Sequence, residues 1–109
     1  MKLALCQIAM SDNENENLER QLSALRQAAL HGADLIVYPE LQLHRFFPQY
    51  EGRDVSDKLL TADHPIIRQF QDACRENRIM AAPNFYLREP SGCFDATLLI
   101  GGDGALLGC

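Results

Sequence analysis

Gly32-Ala33-Asp34-Leu35-Ile36-Val37-Tyr38-Pro39-Glu40-Leu41 is the stretch whose reading decides the fold. Leu35 to Tyr38 is short, apolar and partly β-branched, introduced by Gly32 and closed by Pro39, the pattern of a buried strand. Pro39 has no N–H to give to a ladder, so the chain must leave the sheet there. Glu40 then projects from the carboxyl end of the strand, where open α/β sheets gather their ligand sites. A carboxylate at the edge of an apolar layer also acquires a raised pKa, which suits a general base. The same position equally suits a glutamate that caps a turn or pairs with an arginine.

Working outward, Leu3 to Met10 (LALCQIAM) reads as a central strand covered on both faces, with Gln7 as a core amide that needs a buried partner. Ser11-x-x-Glu14 and Asn13-x-x-Glu16 are alternative capping boxes for the helix that follows. Leu18, Leu22, Leu25, Ala28 and Ala29 make its apolar stripe, and Gly32 is a natural C′ residue. Strand, helix and strand at this spacing predict a βαβ unit and a parallel sheet.

On the other side of Glu40, Leu41 to Leu60 has no sustained periodicity, and a loop of this kind inside a compact domain is usually functional. His44, Arg45, Phe46, Phe47, Pro48, Gln49, Tyr50 and Arg53 give it the makeup of a pocket wall, although Phe46 and Phe47 could equally plug the loop onto the core. Asp63-His64-Pro65 opens a second helix, with Ile66, Ile67, Phe70, Ala73 and Cys74 as its buried stripe and Asn77 as its stop. Ile79 to Leu87 is a third strand with a bulge or edge at Pro83. Phe94 to Ile100 is a fourth, and Gly101 to Gly104 turns the chain into a short last strand.

The 109 residues are 47% hydrophobic and 23% charged, the profile of one globular domain or part of one. A net charge of −5 gives no basic footprint for nucleic acid or for an anionic membrane surface. No apolar run approaches a membrane span and no cleavage-site pattern follows Lys2, so the expected location is the cytoplasm. Cys6, Cys74, Cys93 and Cys109 lack CxxC spacing, and His31, His44 and His64 do not complete a ligand set with them, so neither a disulfide framework nor a metal site is expected. The glycines near residue 101 lack phosphate-loop spacing.

The ordered set of LALCQIAM, a helix containing Asn17-Leu18, GADLIVYPEL, a long loop, a helix, and Ala96 to Ile100 followed by Asp103-Gly104 and Leu107-Gly108 resembles the N-terminal part of the nitrilase superfamily of carbon–nitrogen hydrolases. Phe94-Asp95 stands where relatives usually have tyrosine-asparagine. The resemblance implies an αββα sandwich that hydrolyses amide, N-carbamoyl or nitrile substrates through a glutamate, a lysine and a cysteine, without cofactor or metal. Glu40 matches the general base. Lys2 and Lys58 lie in the wrong contexts for the lysine, and Cys109 lacks the context of the nucleophile. Residues 1–109 are therefore expected to be an incomplete domain, inactive alone, with one sheet face uncovered. The full-length enzyme would be a homo-oligomer acting on a small amide or carbamoyl substrate, with Arg45, Phe46, Phe47, Tyr50 and Arg53 as substrate-binding candidates. The alternative is a non-catalytic α/β binding or subunit-interaction module.

Overall fold

Asn13 starts the first helix by accepting the Glu16 N–H at 3.0 Å, but the capping box is half made, because its own N–H donates to Ser11 Oγ at 3.1 Å and not to Glu16. That helix, α1 (Glu14–Leu30), follows strand β1 (Leu3–Leu5) and precedes β2 (Leu35–Val37). Gly32 reverses the chain between them at φ +81°, a conformation that a side chain would strain. The computed structural model describes residues 1–49, 52 and 54–109. The remaining elements are α2 (Pro65–Asn77), β3 (Met80–Ala82), β4 (Asn84–Glu89), β5 (Gly92–Thr97), β6 (Leu99–Ile100) and β7 (Leu106–Gly108). Short 3-10 turns occupy Phe47–Gln49 and Ser56–Lys58. α2 begins at His64, whose Nδ1 accepts the Ile66 N–H at 3.1 Å, with Pro65 in the first turn. It ends at Asn77, the expected stop, and Arg78 caps it at φ +53°.

Among the described residues, five strands form one sheet in the order β1-β2-β3-β6-β7, and β4 with β5 forms a separate antiparallel hairpin. β1, β2 and β3 are parallel, as a strand-helix-strand beginning requires. β6 and β7 run antiparallel to their neighbours.

Ala4, Ile36, Ala81 and Ile100 stand in register across the sheet and face the core, packed with Leu18, Leu22 and Leu25 of α1 and Ile67, Phe70 and Cys74 of α2. The alternate rows, Leu3-Leu35-Met80 and Leu5-Val37-Ala82, face the other way. Leu3 is 54% exposed and Leu5 74%, so this face is open at its β1 edge. That agrees with the expectation of an uncovered apolar face.

Three strand readings need correction. β1 is not a central strand of eight residues but a three-residue edge strand, and Gln7 is exposed, without need of a buried partner. The apolar run could not reveal this, because an edge is defined by which strands fail to arrive. Ile79 to Leu87 is two strands: Pro83 cannot donate, and the chain passes there from the main sheet into the hairpin. Phe94 to Ile100 likewise divides, at Leu98, whose N–H donates to the Pro83 carbonyl at 2.9 Å. The two crossings are thus hydrogen-bonded to each other. No described helix is long and apolar enough to cross a membrane.

Candidate active site

β2 leads into the site through Tyr38, a buried ring set edge-on to Phe70 at 5.4 Å, with its hydroxyl donating to the Gln21 carbonyl at 2.9 Å. Burial pushes this phenol far above its ordinary range, so it stays neutral and acts as a fixed strut. Pro39 then ends the strand and Glu40 projects, exposed, from its carboxyl end, where the sequence put it.

Leu41, buried and next in line, has φ +49°, a left-handed conformation rare for a residue of its size. Such backbone persists only where its surroundings over-determine it. Here the surroundings are amides. The Leu41 N–H donates to Asn84 Oδ1 at 2.6 Å, and the Asn84 N–H donates to Gln42 Oε1 at 2.6 Å. Gln42 Nε2 donates to Gln21 Oε1 at 2.7 Å, and Gln21 Nε2 returns a bond to the Gln42 carbonyl. Asn17 Nδ2 adds a bond to the Leu43 carbonyl at 2.9 Å. Asn17, Gln21 and Gln42 are fully buried and Asn84 nearly so, yet among the described residues no buried side-chain polar atom lacks a partner. A network satisfied this fully is rigid. Its effect is to lock α1, the turn after Glu40 and the hairpin into one unit.

Asn84 also reaches the second hairpin strand, its Nδ2 donating to Thr97 Oγ1 at 2.9 Å. On that strand Asp95 meets Glu40. Hydrogen bonding to Asp95, then desolvation, then the Asp95 charge raise the Glu40 carboxyl above its ordinary range. The expected direction is right, but the expected cause is corrected: a second carboxyl leads and burial is secondary.

The loop candidates are dispersed. Phe47 is buried, 5.6 Å from the Tyr86 ring, and with His44, Lys58, Leu60 and Tyr86 it lines a shallow depression beside Leu41 and Asn84. Phe46 is exposed, outside that lining, and Arg45 pairs with Asp12 at 2.8 Å on an open surface. His44 Nε2 lies 2.7 Å from Glu14 Oε2. Tyr50 and Arg53 fall outside the described residues.

Gln21, Gln42, Asn84 and Asp95 were not among the sequence candidates. Gln21 did carry a signal, since it falls between Leu18 and Leu25 inside the apolar stripe of α1. The described residues contain no cluster of His, Cys, Asp and Glu able to hold a metal. All four cysteines are free, and burial raises the Cys6 thiol and pushes Cys74 up to about 12, so both are inert.

A family model described as carbon-nitrogen hydrolase matches residues 2–109. The chain is 30% identical over 109 residues to a citrullinase of Francisella tularensis subsp. tularensis, covering 99% of this chain and 38% of that protein. It is 25% identical over 109 residues to an N-carbamoylputrescine amidase of Oryza sativa subsp. japonica, covering 99% and 36%. A carbon-nitrogen hydrolase from Helicobacter pylori G27 matches in fold with a TM-score of 0.86 at 17% identity, over 97% of this chain and 37% of that one. The chain thus spans little more than a third of the length of the curated relatives it matches, 38% and 36%.

Proposed function

The chain belongs to the carbon–nitrogen hydrolase family, and on that premise we propose that it carries the general base, Glu40, of an enzyme that cleaves amide or N-carbamoyl bonds. The observation that carries this reading is the backbone at Glu40. An exposed glutamate at a strand's carboxyl end is followed by a left-handed leucine, clamped by a buried amide network. Strain and rigidity of that kind hold a side chain that must meet its partner in one geometry.

In the proposed reaction Glu40 takes the proton of a cysteine thiol as sulfur attacks the substrate carbonyl carbon. A lysine stabilises the oxyanion. Ammonia or amine leaves with the proton from Glu40, and water, deprotonated by the same carboxylate, then opens the thioester. Glu40 alone supplies only the proton transfers. The 109-residue chain by itself therefore does not turn over unless a lysine and a cysteine are supplied in those roles.

The names of the two curated relatives favour an N-carbamoyl or related substrate over a nitrile. Phe47 at the pocket beside the Glu40 turn is the substrate contact best supported by position. Arg45, Phe46, Tyr50 and Arg53 remain proposed contacts, with the arginines as partners for a substrate carboxylate. A cytoplasmic homo-oligomer belongs to the same proposal. The open face at Leu3 and Leu5 favours a second reading, a non-catalytic subunit-interaction module. The test is the reading frame beyond Cys109 and ammonia release from an amide and N-carbamoyl panel by its product. Lysine and cysteine motifs with turnover support the hydrolase. A stable, inactive 109-residue product supports the module.

A further inference from the structure

Leu60 occupies the outer edge of β4, its N–H donating to the Tyr86 carbonyl at 2.9 Å and its carbonyl accepting from the Arg88 N–H at 2.8 Å. Tyr86 and Arg88 therefore turn their backbone groups away from β5, and Phe85, Leu87 and Glu89 turn theirs towards it. The hairpin register carries this across: Gly92, Phe94 and Ala96 bond to β4, while Cys93, Asp95 and Thr97 aim their N–H and carbonyl groups off the far side. Among the described residues those outward groups have no backbone partner. Cys93, Phe94, Asp95 and Thr97 are exposed, and β5 holds neither the lysine nor the proline that commonly blunts a free edge.

We propose that this edge pairs with the same edge of a second copy of the chain, antiparallel, about a two-fold axis at Phe94.

An edge matched to itself must set outward residues opposite outward residues, so few registers exist. An axis at Asp95 opposes two carboxylates directly. An axis at Ala96 brings in Leu99, which already pairs with Gly108 of β7, and an axis at Cys93 runs Asp95 against the Pro90–Ser91 turn. At Phe94 these conflicts vanish. Cys93 then faces the partner's Asp95, each such pair exchanging both of its backbone bonds. The two Phe94 rings, each on a residue 46% exposed in the single chain, meet as a close aromatic pair.

Charge favours the same register. Arg88 stands opposite Cys93 in the hairpin, so it shares a face with the partner's Asp95 and is separated from it by one small side chain. Among the described residues neither Arg88 nor Asp95 has an ion-pair partner. The two-fold supplies one to each, in both copies. None of this depends on the role of Glu40.

The test is sedimentation equilibrium of the reduced 109-residue chain, with amide hydrogen exchange read at low and high protein concentration. The expected result is a monomer–dimer equilibrium rising towards twice the 12.2 kDa chain mass. The Cys93 and Asp95 amides should slow about tenfold once roughly nine-tenths of the chain is paired, because only the open fraction exchanges. The Phe94 amide, bonded within the hairpin, should change little. Asp95→Arg, which sets like charges together, should weaken the dimer about fivefold or more, and Arg88→Asp combined with Asp95→Arg should restore it. A monomer at every concentration overturns the proposal. So does a dimer or larger assembly whose Cys93 and Asp95 amides exchange as fast as in the monomer, the result expected if copies meet through the open face at Leu3 and Leu5. A folded double variant that pairs no better than Asp95→Arg alone would overturn the register at Phe94.

Discussion

Asn84→Ala removes the contact on which the Glu40 turn depends. The Asn84 side chain holds the Leu41 N–H at 2.6 Å and donates to Thr97 Oγ1 at 2.9 Å, while the residue's own backbone bonds to Gln42 survive truncation. Leu41 is 4% exposed, so its N–H has no ready access to water once the acceptor is gone. A buried donor left unpaired costs about 1–3 kcal/mol. Thr97 is exposed and can turn to solvent, so its loss adds only about 0.5 kcal/mol. Releasing the left-handed leucine returns little, because Leu41 stays anchored by its own burial. The sum is about 1.5–3.5 kcal/mol of destabilisation, a large part of the roughly 5–15 kcal/mol that holds a domain together. Urea unfolding followed by circular dichroism should show a midpoint lower by about 2 M, with the slope unchanged. Asn84→Asp keeps an acceptor for Leu41 and should lose less. A midpoint shift below about 0.5 M for the alanine variant would mean that the clamp does not hold the turn.

Other consequences can be checked with the same chain. Gly104→Ala should destabilise by about 1–3 kcal/mol, measured as a lower melting temperature, because φ is +84° and a Cβ would lie 2.7 Å from the Gln71 carbonyl oxygen; an unchanged melting temperature contradicts that close approach. Native thiol labelling should reach Cys93 and Cys109 quickly and leave Cys6 and Cys74, buried and shifted upward, unreacted until unfolding; rapid labelling of all four would refute the core assignment. The raised Glu40 carboxyl binds its proton more tightly in the folded chain than in the unfolded one. Its contribution to stability is complete below the ordinary value of 4.5 and is lost as pH rises through the folded value. Asp95→Asn should therefore gain stability on the wild type at neutral pH and lose that advantage in acid. Melting differences that are equal at both ends would show that the two carboxyls are not linked.

The exposed position of Glu40 just past β2 was legible because the signal is local: an apolar run, a proline, then a carboxylate, all within one strand and its exit. The helices were legible for the same reason, with caps at Asn13 and His64 and stripes at helical spacing. What local sequence does not encode is which neighbours arrive. Gln7 looked like a core amide because nothing in LALCQIAM says that β1 lies at an edge. Pro83 announced an interruption but not that the chain changes sheets there. Asn84 and Gln42 meet across distant sequence, so the clamp emerges only when the hairpin folds back on the β2 exit. Arg45 illustrates the same limit, since its ion pair with Asp12 depends on how the loop lies over the start of α1.

The most direct test of the central claim is ammonia release from an N-carbamoyl substrate by the product of the complete reading frame, compared with its Glu40→Gln variant. Loss of turnover in a folded variant that still binds substrate is the predicted result, because the amide keeps the shape of Glu40 and cannot take a proton. Turnover that persists in Glu40→Gln would contradict the assignment of Glu40 as the base.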